Sequence, residues 1–187
     1  MRVAFDAIML TLFFKPSAKL QKDIPDGQRR IEHLVETLSQ DESKIIIPAP
    51  VLGEFLAYAR ADGPTYLSEI TDSEVFDIQP YDERAAVEAA ALLIKAIDSG
   101  VGKKGGAKGD WQTIKVDWQI VAIAKVHKVD CLYSDDSDLS AMCATAGVDL
   151  KGIDDLPDPP PKQMGLTEQM EGKKPDGKKP PDDSGND

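Results

Sequence analysis

Four short stretches each set an acidic residue where a strand or turn gives way to a helix. They are Asp6 in VAFDAIML, Glu54 in PAPVLGEFL, Asp117 in KVDWQIVAIA, and Asp136 with Asp138 in LYSDDSDL. Carboxylates are hard oxygen donors, and in a parallel α/β sheet the carboxyl ends of the strands open onto one crevice where ligands bind. Acids at such junctions can converge on a divalent cation, which activates water against a phosphodiester. The pattern suggests a metal-dependent nuclease, and its force lies in the combination.

Taken singly, each acid has an ordinary explanation. Asp6 and Asp117 both precede apolar helical runs, so either could be no more than a helix N-cap. Glu54 lies in the early part of a helix, where the dipole favours a surface glutamate. The Ser134–Asp138 turn is harder to dismiss, because a dense group of carboxylates repels itself unless cations or helix amides compensate. Ser134 could orient a neighbouring carboxylate or merely cap the next helix.

The elements that must position these acids follow from periodicity and punctuation. Residues 2–5 read as a strand, followed by a helix to Leu12 or Phe13 that Pro16 ends. Ile31, Leu34, Val35 and Leu38 recur at helical spacing and predict a helix from about Gly27 to Leu38. Residues 44–47 form a buried strand, and Pro50 sits in the first turn of a helix that carries Glu54 and stops before Gly63. A short helix over 66–70, a strand over 75–78 and a long helix over 81–97 come next. A helix starting near Asp117, a strand over 131–133, a turn into another helix and a strand over 148–150 complete the pattern. Strands alternating with helices predict an α/β class: a three-layer α/β/α sandwich around a mainly parallel sheet.

Between the long helix and the Asp117 helix, residues 100–110 read GVGKKGGAKGD, with five glycines that predict a mobile loop. Lys103, Lys104 and Lys108 of this loop, with Lys115, could hold phosphates, or the loop could simply be solvated. Trp111 and Trp118 flank the third acid and could stack on bases, although packing is the commoner use of tryptophan. His33 and His127 show no metal spacing. From Pro157 onward apolar residues nearly vanish. The division expected is therefore a domain over 1–153 and a disordered tail over 154–187 rich in Pro, Lys and Asp.

The net charge of −11 at first opposes a nucleic-acid partner. Residues 154–187 hold nine acidic and five basic residues, however, which leaves −7 for the rest, five of it in the candidate site acids themselves. Bound divalent metal would offset part of that. No apolar run approaches the roughly 20 residues of a membrane span. Cys131 and Cys143 fit neither a disulfide framework nor a zinc site, which suggests a reducing cytoplasm.

With these motifs in place, the sequence resembles the PIN-domain family of ribonucleases. Phe5-Asp6-Ala7 looks like the family's opening strand with its first acid, and the segment from Pro48 to Phe55 resembles the one carrying the second. The run from Asp117 to Ala124 is similar to the third-acid helix, and that from Tyr133 to Leu139 to the polar residue, Asp and second Asp turn. The resemblance spans about residues 2–150 and departs at Ile8, where many members carry Asn, Ser or Thr. It implies an endoribonuclease dependent on Mg²⁺ or Mn²⁺, with Asp6, Glu54, Asp117, Asp136 and Asp138 as metal ligands and Ser134 in support. It also implies a toxin–antitoxin setting, with a small antitoxin partner and a homodimer, and no membrane association.

Two competing readings stand beside it. A catalytically silent PIN-like module would bind RNA or protein without cleaving. A haloacid-dehalogenase-type phosphatase also opens on a strand ending in Asp, but it needs a second Asp two residues on, where this chain has Ile8.

Overall fold

The computed structural model describes residues 1–15, 18, 24–105 and 109–161. Strands and helices alternate as β1 (Arg2–Phe5), α1 (Ala7–Phe14), α2 (Gly27–Gln40), β2 (Lys44–Pro48), α3 (Ala49–Ala59) and α4 (Gly63–Asp72). They continue as β3 (Phe76–Gln79), α5 (Glu83–Asp98), α6 (Trp111–Val126), β4 (Cys131–Tyr133), α7 (Leu139–Ala146) and β5 (Asp149–Lys151).

The five strands form one sheet in the order β3-β2-β1-β4-β5, and every pairing is parallel. Val3 lies opposite Ile45 on one side and Cys131 on the other, and Ala4 opposite Ile46 and Leu132. The central strands are apolar without alternation, and Val3, Ala4, Phe5, Ile45, Ile46, Ile47 and Leu132 are fully buried. A strand covered on both faces requires that composition.

The strand order fixes where the helices go. From β1 to β3 the chain steps in one direction, and from β4 to β5 in the other. Right-handed crossovers then put α1–α4 on one face and α5–α7 on the opposite face. The packing agrees: α5, α6 and α7 contact one another, α1 contacts α2 and α3, and α3 contacts α4. The chain reverses direction between β1 and β4, and a crevice opens at the carboxyl ends of those two strands. The predicted three-layer α/β/α class is the one observed.

Several boundaries differ from those expected from the sequence. The largest difference is at α6, which starts at Trp111 instead of near Asp117. Its N-cap is Asp110, whose Oδ1 accepts the amide N–H of Gln112 at 2.7 Å and of Thr113 at 3.3 Å. The six residues before Asp117 are therefore helical, and Asp117 is not a cap.

The packed region also runs past the expected boundary at residue 153. Ile153 and Leu156 are buried in the core, and Arg30 of α2 donates to the Leu156 carbonyl at 2.8 Å and pairs with Asp158. The tail predicted to be disordered lies outside the described residues from 162 onward, as does Lys108. Among the described residues, no helix is long and apolar enough to cross a membrane. Cys131 and Cys143 are buried free thiols.

Candidate functional site

β1 runs directly into Asp6, whose N–H donates to the Tyr133 carbonyl at 3.2 Å and so ties together the ends of β1 and β4. Its Oδ1 accepts the Met9 N–H at 2.8 Å, which makes Asp6 the N-cap of α1. The cap role is real, but it does not exhaust the residue. The side chain is only 5% exposed, and the Ser134 hydroxyl and the Ile8 amide also donate to it. Burial nonetheless outweighs these donors, and with the nearby charge of Asp136 it pushes the pKa from 3.8 to about 7. Position 8 thus supports Asp6 through its main chain, so the polar side chain missing at Ile8 leaves the carboxylate with donors.

Asp117 sits inside α6, most of whose residues from Ile114 to Ala124 are buried. Burial is the main reason its pKa rises to about 6, followed by repulsion from Asp136, Asp138 and Glu54. Helices α3 and α6 meet directly, so Glu54 and Asp117 come close although they belong to opposite layers. Glu54 itself is exposed on α3.

The turn after β4 is set by its own side chains. Ser134 is buried, and its Oγ accepts the Asp136 N–H at 2.9 Å, while Asp136 Oδ1 accepts the Asp138 N–H at 2.8 Å. Asp135 points elsewhere. Its carboxylate accepts the Ile153 N–H at 3.0 Å and anchors the segment after β5. Asp136 and Asp138 are the two whose charges reach Asp117. Ser134 therefore both orients Asp6 and shapes the acidic turn.

The structure thus gathers Asp6, Glu54, Asp117, Asp136 and Asp138 around the switch point between β1 and β4. Among the described residues, no Lys or Arg forms an ion pair with any of them. Nor do three or more His, Cys, Asp or Glu among the described residues already stand in an arrangement that could hold a metal ion. The donor set still fits a hard divalent cation. It consists of carboxylate oxygens without counter-charge, and Mg²⁺ keeps several waters and needs only one or two carboxylates.

A cavity of about 300 Å³ adjoins the site through Glu54, lined by Ile8, Thr11, Leu12, Phe55, Tyr58 and Asp135 among others. Sequence reasoning missed it, although Tyr58 one helical turn beyond Glu54 was the available signal. Of the candidate phosphate-binding lysines, Lys103, Lys104 and Lys115 are exposed. Lys115 lines a groove between α5 and α6 with Tyr81 and Trp111. Trp118 is buried and its indole N–H donates to the Lys103 carbonyl at 3.0 Å, so it packs and does not present a face for stacking.

A five-stranded parallel sheet in this order, wound by helices on both faces, is a PIN-like fold. Among solved structures, the chain is similar to VapBC2 from Rickettsia felis bound to a DNA fragment from their promoter. The identity is 13%, with 81% of this chain and 98% of that one covered and a TM-score of 0.56. DNA-bound VapBC from Salmonella typhimurium aligns at 14% identity, covering 82% and 98% of the two chains, with a TM-score of 0.48. Only the first bears on the fold. No protein-family model and no curated protein matches the sequence.

Proposed function

We propose that the protein is an endoribonuclease that hydrolyses RNA phosphodiester bonds with Mg²⁺ or Mn²⁺ held by Asp6, Glu54, Asp117, Asp136 and Asp138. The supporting observation is the uncompensated set of five carboxylates at the switch point, two of them pushed toward neutral pH by burial and mutual repulsion. Bringing acids together in this way is unfavourable unless a cation occupies the space between them.

A divalent ion, when bound, polarises the phosphate and lowers the pKa of a coordinated water. The chain's own residues supply the rest. Asp6 is held in place by the amides of Ile8 and Met9 and by the Ser134 hydroxyl. Asp136 is fixed by its bonds to Ser134 and Asp138. A carboxylate of the set that keeps an unmet acceptor oxygen takes the proton of the attacking water.

The likeness in fold to VapBC2 supports a toxin–antitoxin setting with an antitoxin as partner; a homodimer and a cytoplasmic location belong to the same proposal. A silent PIN-like module is the second reading, favoured by the absence of a ready-made metal group among the described residues.

RNA cleavage with Mg²⁺, Mn²⁺ or EDTA separates the two readings when the parent is compared with Asp6→Asn and Asp117→Asn. Metal-dependent cleavage lost in both variants supports the nuclease. Metal-independent cleavage, or full activity in both variants, overturns the mechanism. Absence of cleavage across a broad RNA panel, together with no heat of Mg²⁺ or Mn²⁺ binding, favours the silent module.

A further inference from the structure

The segment from Gly100 to Asp110 is so rich in glycine that a wandering loop is the natural expectation, yet its described part is tied down. It leaves α5 through a hydrogen bond from the Gly102 N–H to the Ala96 carbonyl at 2.9 Å, and Gly105 N–H then donates to the Gly102 carbonyl at 2.9 Å. Gly105 is buried at a φ of +60°, and a Cβ there would stand 2.7 Å from Met142 Cγ and 3.2 Å from the Trp118 ring. Only glycine allows so close an approach in that conformation. Trp118 adds its indole N–H bond to the Lys103 carbonyl, and Lys104 Nζ donates to the Gly109 carbonyl at 3.1 Å, joining the two ends of the loop. At its far end the loop meets the acidic site: a Cβ on Gly109 would lie 3.7 Å from Asp138 Oδ2.

Consecutive residues of α6 therefore meet different neighbours, Asp117 the acidic cluster and Trp118 the described part of the basic loop. Lys103 and Lys104 are exposed, and the Lys103 ammonium sits 5.0 Å from the centre of the Trp111 ring. An acidic metal site repels a polyanion everywhere except at the metal, so an RNA strand needs cations beside it. We infer that Trp118, with Gly105 and Met142, is a positioning residue that latches the Gly100–Gly105 stretch beside the acidic site, where Gly109 adjoins Asp138. There Lys103 and Lys104 bind the phosphates of single-stranded RNA flanking the scissile one. The inference rests on the ribonuclease reading above for the chemistry that the rim serves.

The test uses the full chain and a fluorescein-labelled single-stranded RNA, with anisotropy followed over a KCl series in EDTA and cleavage kinetics in Mg²⁺. Trp118→Phe keeps an aromatic ring but loses the indole donor, and Gly105→Ala forces the loop away from Met142. Each should weaken RNA binding several-fold at low salt. Each should also reduce the slope of log K against log[KCl] by about 0.7 for every phosphate that is no longer neutralised. In cleavage the loss should fall on KM more than on kcat. Lys103→Gln combined with Lys104→Gln should do the same, and adding Trp118→Phe to that pair should bring no further loss, because the tryptophan acts through those lysines.

Parental slopes in Trp118→Phe and Gly105→Ala overturn the latch. Where near-UV circular dichroism shows either variant unfolded, the exposed lysine pair decides, and a parental slope there overturns the rim. A parent that binds RNA with the lysine-dependent slope but cleaves none supports the rim and defeats the ribonuclease reading. A parent that cleaves with no dependence on these lysines does the reverse.

Discussion

Asp6→Asn should make the metal-free protein more stable while abolishing its activity. The folded protein holds the Asp6 proton up to a pH of about 7, against 3.8 for an ordinary aspartate carboxyl. That is roughly a thousandfold in proton affinity, and at about 1.4 kcal/mol per tenfold, ionising Asp6 in the fold costs about 4 kcal/mol. Between pH 3.8 and about 7 the folded state binds more protons than the unfolded chain, so this group's contribution to stability falls as pH rises through that window. Above it the whole cost is present. Asparagine carries no charge and still offers an oxygen to the Met9 N–H, though its amide fits the remaining donors less well. The net gain at pH 8 should be about 2–4 kcal/mol, or on the order of 5–15 °C in Tm for a chain of this length. Calorimetry in EDTA from pH 4 to pH 8 measures it: the two proteins should nearly coincide at pH 4 and diverge as pH rises. Added Mg²⁺ should then raise the Tm of the parent more than that of the variant. An Asn variant no more stable than the parent at pH 8, or a gap independent of pH, would show that Asp6 carries no buried charge and refute the reasoning.

Other perturbations test other parts of the site. Asp117→Asn should lower single-turnover RNA cleavage by about a hundredfold or more, because a cation-holding oxygen is lost where several kcal/mol of transition-state stabilisation originate. Ser134→Ala removes the hydroxyl that donates to Asp6 and accepts from the Asp136 amide. It should cost about 1–2 kcal/mol in denaturant unfolding, and it should move the acid limb of the pH–rate profile to higher pH, since Asp6 loses a donor that favours its ionised form. Mg²⁺ affinity measured by calorimetric titration should rise from pH 5.5 to pH 8, because protons compete for the raised carboxyls of Asp6 and Asp117; equal affinity at both would exclude those two as ligands. Asp110→Ala should lower the Tm, because the amides of Gln112 and Thr113 lose their α6 cap.

The fold was legible because its central strands are buried on both faces and so appear in the sequence as unbroken apolar runs, 3–5 and 45–47, separated by stretches of helical period. The order of the strands was not legible, since nothing local in Cys131–Tyr133 says that it pairs with β1, a strand at the other end of the domain's sequence. The start of α6 is hidden for a related reason. Its first turn, Trp111–Ile114, carries polar residues on the exposed side, and the strong apolar run begins only after Asp117. Asp110 standing directly after the glycine run is the cap signal that outweighs it. The packed segment beyond residue 153 is masked by composition. Two apolar residues, Ile153 and Leu156, suffice to seat it when Arg30 supplies bonds from a helix distant in sequence.

A start of α6 at Trp111 also changes what Asp117 means. As a helix cap it would have been explained by the amides it satisfied, with no need for a ligand. Inside the helix it accepts no capping bond. It is 9% exposed and faces three other carboxylates with no cation paired to it among the described residues. A charge in that position lowers the stability of the fold, and leucine or alanine would suit a helix so thoroughly buried better. The same argument applies to Asp6, which a serine or asparagine could replace as a cap without the cost of ionisation. Two buried acids that local structure would do better without, close to three more on separate elements, are most simply explained by what they bind. The earlier start of α6 therefore strengthens the case for the acidic site, because it removes the one local explanation that Asp117 had.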